Sequence, residues 1–197
     1  RNPDNATELR SLLDKADRIE PLDVADRGSA DRLGYNLGGE RIDALINNAG
    51  VGGKGEPLEQ ADTENILRVL DINAVGPMRV TKALLTQLRA GDRKLIINVS
   101  SQLGSITNAK GGSSYAYRSS KAALNMLTRH LACELGEQGF TCVTIHPGWV
   151  QTDMGGPEAH LTTEQSVSNI LTNIIDAATH STHNGTFRNF DGTELPW

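Results

Sequence analysis

The stretch "KLIINVSS" (residues 94–101) is a short apolar run that ends in two serines. A run of this length without polar alternation is typical of a strand that is buried on both faces. Similar runs lie at "IDALI" (42–46), "TCVTIH" (141–146) and "GTFRNFDG" (185–192). The repeated pattern predicts a sheet whose strands are joined by longer connecting segments.

The connecting segments carry apolar residues at helical spacing, over residues 4–17, 59–90, 114–137 and 162–178. Helices of this length between buried strands serve as crossovers, so we expect an α/β fold, a doubly wound parallel sheet in three layers. In such sheets ligands bind beyond the carboxyl ends of the strands. Three polar or glycine-rich turns follow strands at that edge: "NNAG" (47–50), "NVSS" (98–101) and "HPGW" (146–149).

The bulk properties predict an ordinary single domain over residues 1–197. The net charge is −5, and no basic stripe indicates a nucleic-acid partner. No apolar run approaches the ~20 residues that span a membrane. The histidines show no metal-ligand spacing, so we expect no metal site. Cys133 and Cys142 lack CxxC spacing, which favours a reducing compartment, the cytoplasm.

Two tyrosines precede a single lysine in "SSYAYRSSKAAL" (113–124). Residues four apart share a helix face, so Tyr117 can pair with Lys121. Tyr115 is six residues from Lys121 and points elsewhere.

A Tyr–Lys pair of this kind can perform proton transfer. A free tyrosine has a pKa near ~10, and a fixed ammonium beside the phenol lowers that pKa. Such a phenol can pass a proton to or from a substrate oxygen. The alternative is a surface tyrosine with a solvated lysine one turn later.

The glycine run from Gly50 to Gly55 matches the G-x-G-x-x-G pattern of pyrophosphate loops. In those loops the helix begins within the glycines, so that its first amides face the phosphates. Here Glu56 and Pro57 follow, and the next helix is expected near Leu58. We therefore interpret the run as a flexible loop at the mouth of a site.

Five motifs together resemble the short-chain dehydrogenase/reductases over the whole chain: "NNAG" (47–50), Asn73 in "DINAVGP", "NVSS" (98–101), "YAYRSSK" (115–121) and "HPGWVQTDMGG" (146–156). "SSQLGSI" (100–106) and the ending "DGTELPW" (191–197) resemble the C-factor/sniffer-like carbonyl reductase branch. The resemblance implies a Rossmann-like NAD(P)(H)-dependent oxidoreductase, a carbonyl reductase or alcohol dehydrogenase. A non-catalytic signalling or binding protein on the same scaffold is the alternative.

The resemblance also implies catalytic roles. Tyr117 is the acid/base, and Lys121 lowers its pKa and holds the nicotinamide ribose. Ser101 hydrogen-bonds the substrate carbonyl, with Ser100 as the alternative. Asn73 disrupts the local helical ladder and holds a water that relays protons from Lys121.

The spacing between Ser101 and Tyr117 is sixteen residues, longer than is usual in the family. We expect an extended loop at "NAKGG" (108–112) to absorb the difference. The polar, glycine-rich stretch 151–165 is the expected lid over a small carbonyl or alcohol substrate.

Cofactor contacts follow from the same resemblance. Asp23 and Val24 match the adenine position. Asn47, Ala49 and Gly50 match the turn after the first strand, and the nicotinamide-side loop provides Pro147, Gly148, Val150 and Thr152. Tyr117 and Lys121 are cofactor contacts as well. Arg1 stands where NADP-preferring members bind the 2′-phosphate, which favours NADP, with NAD possible.

Two further expectations concern the ends and surfaces of the domain. The family's N-terminal TGxxxGxG segment, its first βαβ unit, is not in the sequence, which leaves the strand Ile42–Ile46 with an unpaired edge. Helices 59–90 and 114–137 are expected to pair two copies of the chain, because their apolar residues exceed one core stripe, among them Leu70, Met78, Leu84, Leu88, Leu124, Leu127 and Leu131.

Overall fold

The computed structural model describes residues 16, 18–53 and 55–197. Four strands form one parallel sheet in chain order: β1 Ala44–Asn47, β2 Leu95–Val99, β3 Thr141–His146 and β4 Thr186–Asn189. Each strand lies within a predicted run or one residue beyond it. The predicted helix at 4–17 and the contact at Arg1 lie outside the described residues.

Seven α-helices lie in the described part of the chain: α1 Arg27–Asn36, α2 Thr63–Leu70, α3 Gly76–Ala83, α4 Leu85–Ala90, α5 Tyr115–Gly136, α6 Thr163–Ile170 and α7 His180–His183. Short 3-10 helices cover Leu58–Gln60 and Gln102–Gly104, and π-helical turns cover Asp71–Val75 and Leu171–Ile175. None of the described helices is long and apolar enough to cross a membrane.

The helices cover both faces of the sheet, because successive strand residues point to opposite sides. On one face Ile96 and Cys142 pack against α1, α3, α4 and α5. On the other face Ile97 and Val143 pack against Ile174 in the turn after α6. These two cores confirm the predicted three-layer, doubly wound fold.

The predicted helix at 59–90 is wrong as a continuous element. It consists of a 3-10 turn, α2, a π-helical turn, α3 and α4. The π-helical turn holds one residue more than an α-helical turn would, and such insertions are frequent at functional sites. This break sets the position of Asn73.

Helix α1 was not predicted from the sequence, since Gly28 and Gly34 weaken its helical pattern. Asp26 caps it by accepting a hydrogen bond from the Gly28 amide at 2.8 Å. A Cβ at Gly34 would lie 2.5 Å from the Ala83 carbonyl oxygen, so glycine is required where α1 crosses α3. Close packing, rather than turn formation, explains this glycine.

Strand β1 pairs with β2, and within the described residues its other edge has no partner strand. Ile46, on the face away from α5, remains 47% exposed. The carboxyl ends of β1, β2 and β3 meet at one edge of the sheet, where Asn47, Val99 and His146 end the strands. That edge carries the candidate site.

Candidate active site

Asn73 is fully buried in the π-helical turn Asp71–Val75. Its Oδ1 accepts a hydrogen bond from the Val51 amide at 2.8 Å, and its Nδ2 donates to the Val51 carbonyl at 2.9 Å. Nδ2 also donates to Ser120 Oγ at 3.0 Å. The side chain therefore fastens the loop after β1 to helix α5. The predicted disruption of the helical ladder at Asn73 is confirmed, while its water relay stays a prediction.

Tyr117 and Lys121 share one face of α5, as their spacing indicates. Lys121 Nζ lies 5.6 Å from the centroid of the Tyr117 ring and donates to the Val99 carbonyl oxygen at 2.9 Å. Tyr115 lies beside α2, where it lines a small cleft with Asn65. The structure thus separates the two tyrosines as the sequence predicted.

The expected lowering of the Tyr117 pKa by Lys121 is wrong in this structure. Burial raises the pKa of the Tyr117 phenol, and a hydrogen bond to Ser101 opposes that rise by favouring the phenolate. Burial also lowers the pKa of Lys121 to about 8, because a buried ammonium loses its hydration. With a pKa of about 8 the lysine is still largely an ammonium at neutral pH, but the Val99 carbonyl holds it 5.6 Å from the ring centroid, and burial remains the larger influence on the phenol.

The two serines after β2 have different environments, which favours Ser101 over Ser100. Ser100 Oγ donates to Asn125 Oδ1 at 2.6 Å and to the Lys121 carbonyl at 3.3 Å, so it is committed to fixing α5. Ser101 Oγ accepts from the Leu103 amide at 3.2 Å and contacts the Tyr117 phenol. Its hydroxyl hydrogen remains available beside the tyrosine.

Asn47 lies at the end of β1 in a line of buried amide and hydroxyl groups. Its Nδ2 donates to Asn98 Oδ1 at 2.8 Å and to Thr81 Oγ1 at 3.2 Å. Asn98 Nδ2 in turn donates to Thr128 Oγ1 on α5 at 2.8 Å. These bonds join the ends of β1 and β2 to α3 and α5.

The turn that follows β1 is open to solvent at Ala49 and Gly50. A Cβ at Gly50 would lie 3.3 Å from Asn73 Oδ1 and 3.6 Å from Lys121 Nζ. Glycine therefore keeps the backbone close to both polar groups and leaves space in front of the lysine.

The glycine run continues over the start of α5. A Cβ at Gly53 would lie 3.1 Å from the Tyr117 Cβ, and one at Gly52 would lie 3.5 Å from Met154 Cγ. No helix begins within the described part of the run, since the next helical turn is Leu58–Gln60. The interpretation of the run as a loop at the site mouth is confirmed, and a pyrophosphate cradle is not formed there.

Asp23 and Val24 precede α1 at the predicted adenine position. Asp23 Oδ1 accepts from the Ala25 amide at 3.1 Å. Arg79 donates to the Val24 carbonyl at 3.2 Å and pairs with Asp71 of the π-helical turn. This arginine, which was not predicted as a site residue, links the Val24 turn to the turn that carries Asn73.

The loop after β3 is fastened at several points. The Pro147 carbonyl accepts from Ser166 Oγ at 2.6 Å, and Val150 pairs with Leu161 as a parallel bridge. Gly148 has φ +85°, and a Cβ there would lie 2.3 Å from Leu161 Cδ1, so glycine is required. Thr152 is exposed on the predicted lid, where its Oγ1 accepts from the Gly155 amide at 3.1 Å.

Several residues at this edge were missed because their roles depend on folded contacts. Ser120 supports Asn73, the Val99 carbonyl holds Lys121, and His146 is buried at the end of β3. The sequence signal available for Ser120 was its position, directly before Lys121 and one helical turn after Ala116, on the buried side of α5.

The chemistry of Lys121 fits a nicotinamide ribose. Among the described residues, Val99 supplies the acceptor that Lys121 Nζ uses, which leaves N–H donors for vicinal hydroxyl groups. The space in front of Gly50 opens beside the same ammonium. Lys121, Tyr117 and the loop 147–152 are therefore the residues suited to hold the nicotinamide half of the cofactor.

Comparison with known proteins agrees with this geometry. The model of the short chain dehydrogenase family matches residues 2–162. The chain is 47% identical to C-signal of Myxococcus xanthus over 156 residues, 79% of this chain and 93% of that protein.

Solved structures give the same result. The carbonyl reductase Sniffer of D. melanogaster has a TM-score of 0.94 and 35% identity, covering 100% of this chain and 86% of that one. An NADPH-bound carbonyl reductase from chicken fatty liver has a TM-score of 0.89 and 32% identity, covering 100% and 85%. These matches confirm the resemblance drawn from the five motifs.

Proposed function

The chain belongs to the short-chain dehydrogenase family and is an NAD(P)(H)-dependent oxidoreductase, and we propose that it interconverts a carbonyl compound and its alcohol with Tyr117 as acid/base. The observation that carries the proposal is the geometry of Lys121, whose ammonium lies 5.6 Å from the Tyr117 ring centroid and donates at 2.9 Å to the Val99 carbonyl, two residues before Ser101. A proton donor, a second hydroxyl donor and a cation thus converge at the carboxyl ends of β1 and β2.

In the reducing direction the Tyr117 hydroxyl donates its proton to the substrate oxygen. The Ser101 hydroxyl donates a hydrogen bond to the same oxygen and stabilises the negative charge that develops on it. A nicotinamide held by Tyr117, Lys121 and the loop 147–152 would supply the hydride in this direction and accept it in the reverse one. Lys121 binds the ribose and, with a water held at Asn73, returns a proton to the tyrosine from solvent.

We propose NADP as the preferred cofactor, with NAD possible. The support is that the carbonyl reductase from chicken fatty liver binds NADPH. The adenine contacts at Asp23 and Val24 and the 2′-phosphate contact at Arg1 remain part of this proposal. So do the contacts at Asn47, Ala49, Gly50, Pro147, Gly148, Val150 and Thr152.

The proposed substrate is a small carbonyl or alcohol compound that enters between the glycine loop and the lid. Met154 meets Gly52 at this opening and is exposed. Trp149, on the same loop, is half-exposed, donates to the Gly155 carbonyl at 2.7 Å and packs edge-on against His160. These side chains support an apolar substrate body.

We also propose that two copies pair through α2 and α5, but the apolar residues first named for that surface need correction. Leu84, Leu88, Leu124 and Leu131 are buried in the core and cannot serve as contact residues. Leu67 on α2 and Met126 on α5 are 60% and 59% exposed and take their place.

The free state of Cys133 and Cys142 supports the cytoplasm as the location.

A signalling role without catalysis is the alternative, and the 47% identity to C-signal supports it. The two functions differ in one measurement. A scan of the protein with NADPH and a panel of aldehydes, ketones and quinones should show NADPH oxidation that Tyr117→Phe abolishes. Turnover that is absent, or unchanged in Tyr117→Phe, would favour the alternative.

A further inference from the structure

We propose that Trp197 is a positioning residue for Ser101. The return segment, Thr193–Trp197, folds back along β4 and fixes the chain that follows the serine. The proposal rests on the proposed function, since it acts through the site of Ser101 and Tyr117.

The return segment is bound to β4 by backbone hydrogen bonds. The Leu195 amide donates to the Phe187 carbonyl at 2.7 Å, and the Asn189 amide donates to the Thr193 carbonyl at 2.8 Å. Arg188 and Glu194 form an antiparallel bridge between them. The segment therefore runs antiparallel to the last strand.

The indole of Trp197 fixes the end of this segment. It stacks on the ring of Phe187 with centroids 5.6 Å apart and an interplanar angle of 27°. Phe187 is fully buried in β4, so the stack anchors Trp197 to the sheet.

The backbone carbonyl of Trp197 contacts the serine side of the site directly. It accepts from the Thr107 amide at 2.8 Å and from Ser105 Oγ at 3.1 Å. Ser105 Oγ also accepts from the Asn108 amide at 3.1 Å, and Ser105 is buried. One carbonyl thus holds the start of the loop that leads from Ser101 to Tyr117.

Helix α5 holds the same chain from the opposite side. Asn125 Nδ2 donates to the Gly104 carbonyl at 3.2 Å, and a Cβ at Gly104 would lie 2.8 Å from the Lys121 Cβ. Helix α5 therefore holds the turn Gln102–Gly104, which directly follows Ser101, and Trp197 holds Ser105 and Thr107, which follow the turn. The loop 105–114 contains no helix or strand, so loss of the Trp197 contact would leave the chain directly after the turn without this support.

Three variants of the full chain test the role: Trp197→Ala, Trp197→Phe, which can still stack on Phe187, and Tyr35→Ala, an aromatic truncation at a position 87% exposed. We expect Trp197→Ala to lower kcat about tenfold, since small misplacements of a reacting group cost up to ~100-fold. NADPH affinity should stay at the wild-type value, Trp197→Phe should recover most of the loss, and Tyr35→Ala should match wild type.

The pH–rate profile separates positioning from general destabilisation. Loosening Ser101 removes the hydrogen bond that favours the phenolate. The limb of the pH–rate profile that reports the ionisation of Tyr117 should therefore move to higher pH in Trp197→Ala, as it should in Ser101→Ala. An unchanged kcat would overturn the proposal, as would a loss of kcat with the limb unmoved. If Trp197→Ala does not fold, Ser105→Ala should show the same shift with a smaller loss, and its absence would overturn the proposal. Failure of the proposed function gives a different result: either the wild type shows no turnover, or Tyr117→Phe and Ser101→Ala both retain wild-type turnover.

Discussion

Lys121 donates to the carbonyl of Val99, the residue that ends β2, while its ammonium lies 5.6 Å from the ring centroid of Tyr117. This bond joins the helix that carries the proposed acid/base to the strand that leads into Ser101. The position of the lysine is therefore set by the sheet, and the position of the serine by both the sheet and α5.

Replacing Tyr117 with Phe should lower kcat about 10²–10⁴-fold, the usual contribution of one acid/base group. The fold and NADPH affinity should be retained, because the ring remains in place. Tyr115→Phe is the matched control and should behave like wild type, since Tyr115 lies beside α2. Steady-state kinetics with NADPH and a carbonyl substrate test both, and equal losses would contradict the assignment.

Lys121→Met should impair both turnover and cofactor binding. Charged hydrogen bonds contribute about 1.5–3 kcal/mol each, which corresponds to roughly 10–150-fold in affinity. NADPH fluorescence titration measures the change directly. An unchanged Kd would remove the ribose-binding role, even if kcat fell.

Asn73→Ala should destabilise the protein by about 1–3 kcal/mol, because a fully buried side chain is lost together with its hydrogen bonds to the part-buried amide and carbonyl of Val51. Urea unfolding gives the free energy. Asn65→Ala on α2 is the control, since its side chain accepts from Arg68 at the surface. A free energy of unfolding equal to wild type in Asn73→Ala would contradict the structural role.

The stability of the protein should fall on acidification because of His146. Burial lowers the pKa of His146 to about 4, from 6.5 for a free imidazole, and its Nδ1 has no hydrogen-bond partner among the described residues. Between pH 6.5 and 4 the unfolded chain therefore binds a proton that the folded chain does not. The loss is about 3 kcal/mol over this range.

Urea unfolding at several pH values should show this loss in wild type and a flatter profile in His146→Gln. The comparison is needed because burial also lowers the pKa of His183, which adds a slope of the same sign. Parallel profiles for the two proteins would show that His146 is not responsible.

Replacing Leu67 and Met126 together with Glu should shift the protein to monomers if α2 and α5 form the contact between copies. Light scattering at micromolar concentration measures the mass. Val167→Glu, at another half-exposed apolar position on α6, is the control and should leave the mass unchanged. A wild-type protein that is monomeric throughout would refute the proposed pairing.

The elements that could be predicted from the sequence are those with local signals. The strand β3 lies where the apolar run "TCVTIH" predicts it, and α5 differs from its prediction by one residue at each end. The pairing of Tyr117 with Lys121 follows from helical spacing alone.

Other features depend on contacts between distant residues and leave no local pattern. Ser105 and Trp197 are 92 residues apart, and Asn73 and Ser120 are 47 apart. The π-helical turn is an exception, because Gly76 and Pro77 follow it and Pro77 has no N–H to bond the carbonyl of Asn73 four residues earlier. The direction of the Tyr117 pKa shift was predicted wrongly because the burial of Tyr117 and Lys121 cannot be derived from their spacing.

The two-sided covering of the sheet has a consequence for the handedness of the fold. The strands step in the same direction from β1 to β4, but α5 covers one face and α6 the other. Two crossovers that lead to the next strand in the same direction, one over each face of the sheet, have opposite handedness. Crossovers between parallel strands are right-handed in about 98% of cases. With right-handed crossovers from β1 to β2 and from β2 to β3, the connection from β3 to β4 is left-handed.

That uncommon hand requires the chain to pass around the carboxyl ends of the strands before α6 begins. The segment 147–162 makes this passage, and Met154 within it lies against Gly52 of the loop after β1. The proposed lid, 151–165, thus lies on the path by which the chain passes from one face of the sheet to the other.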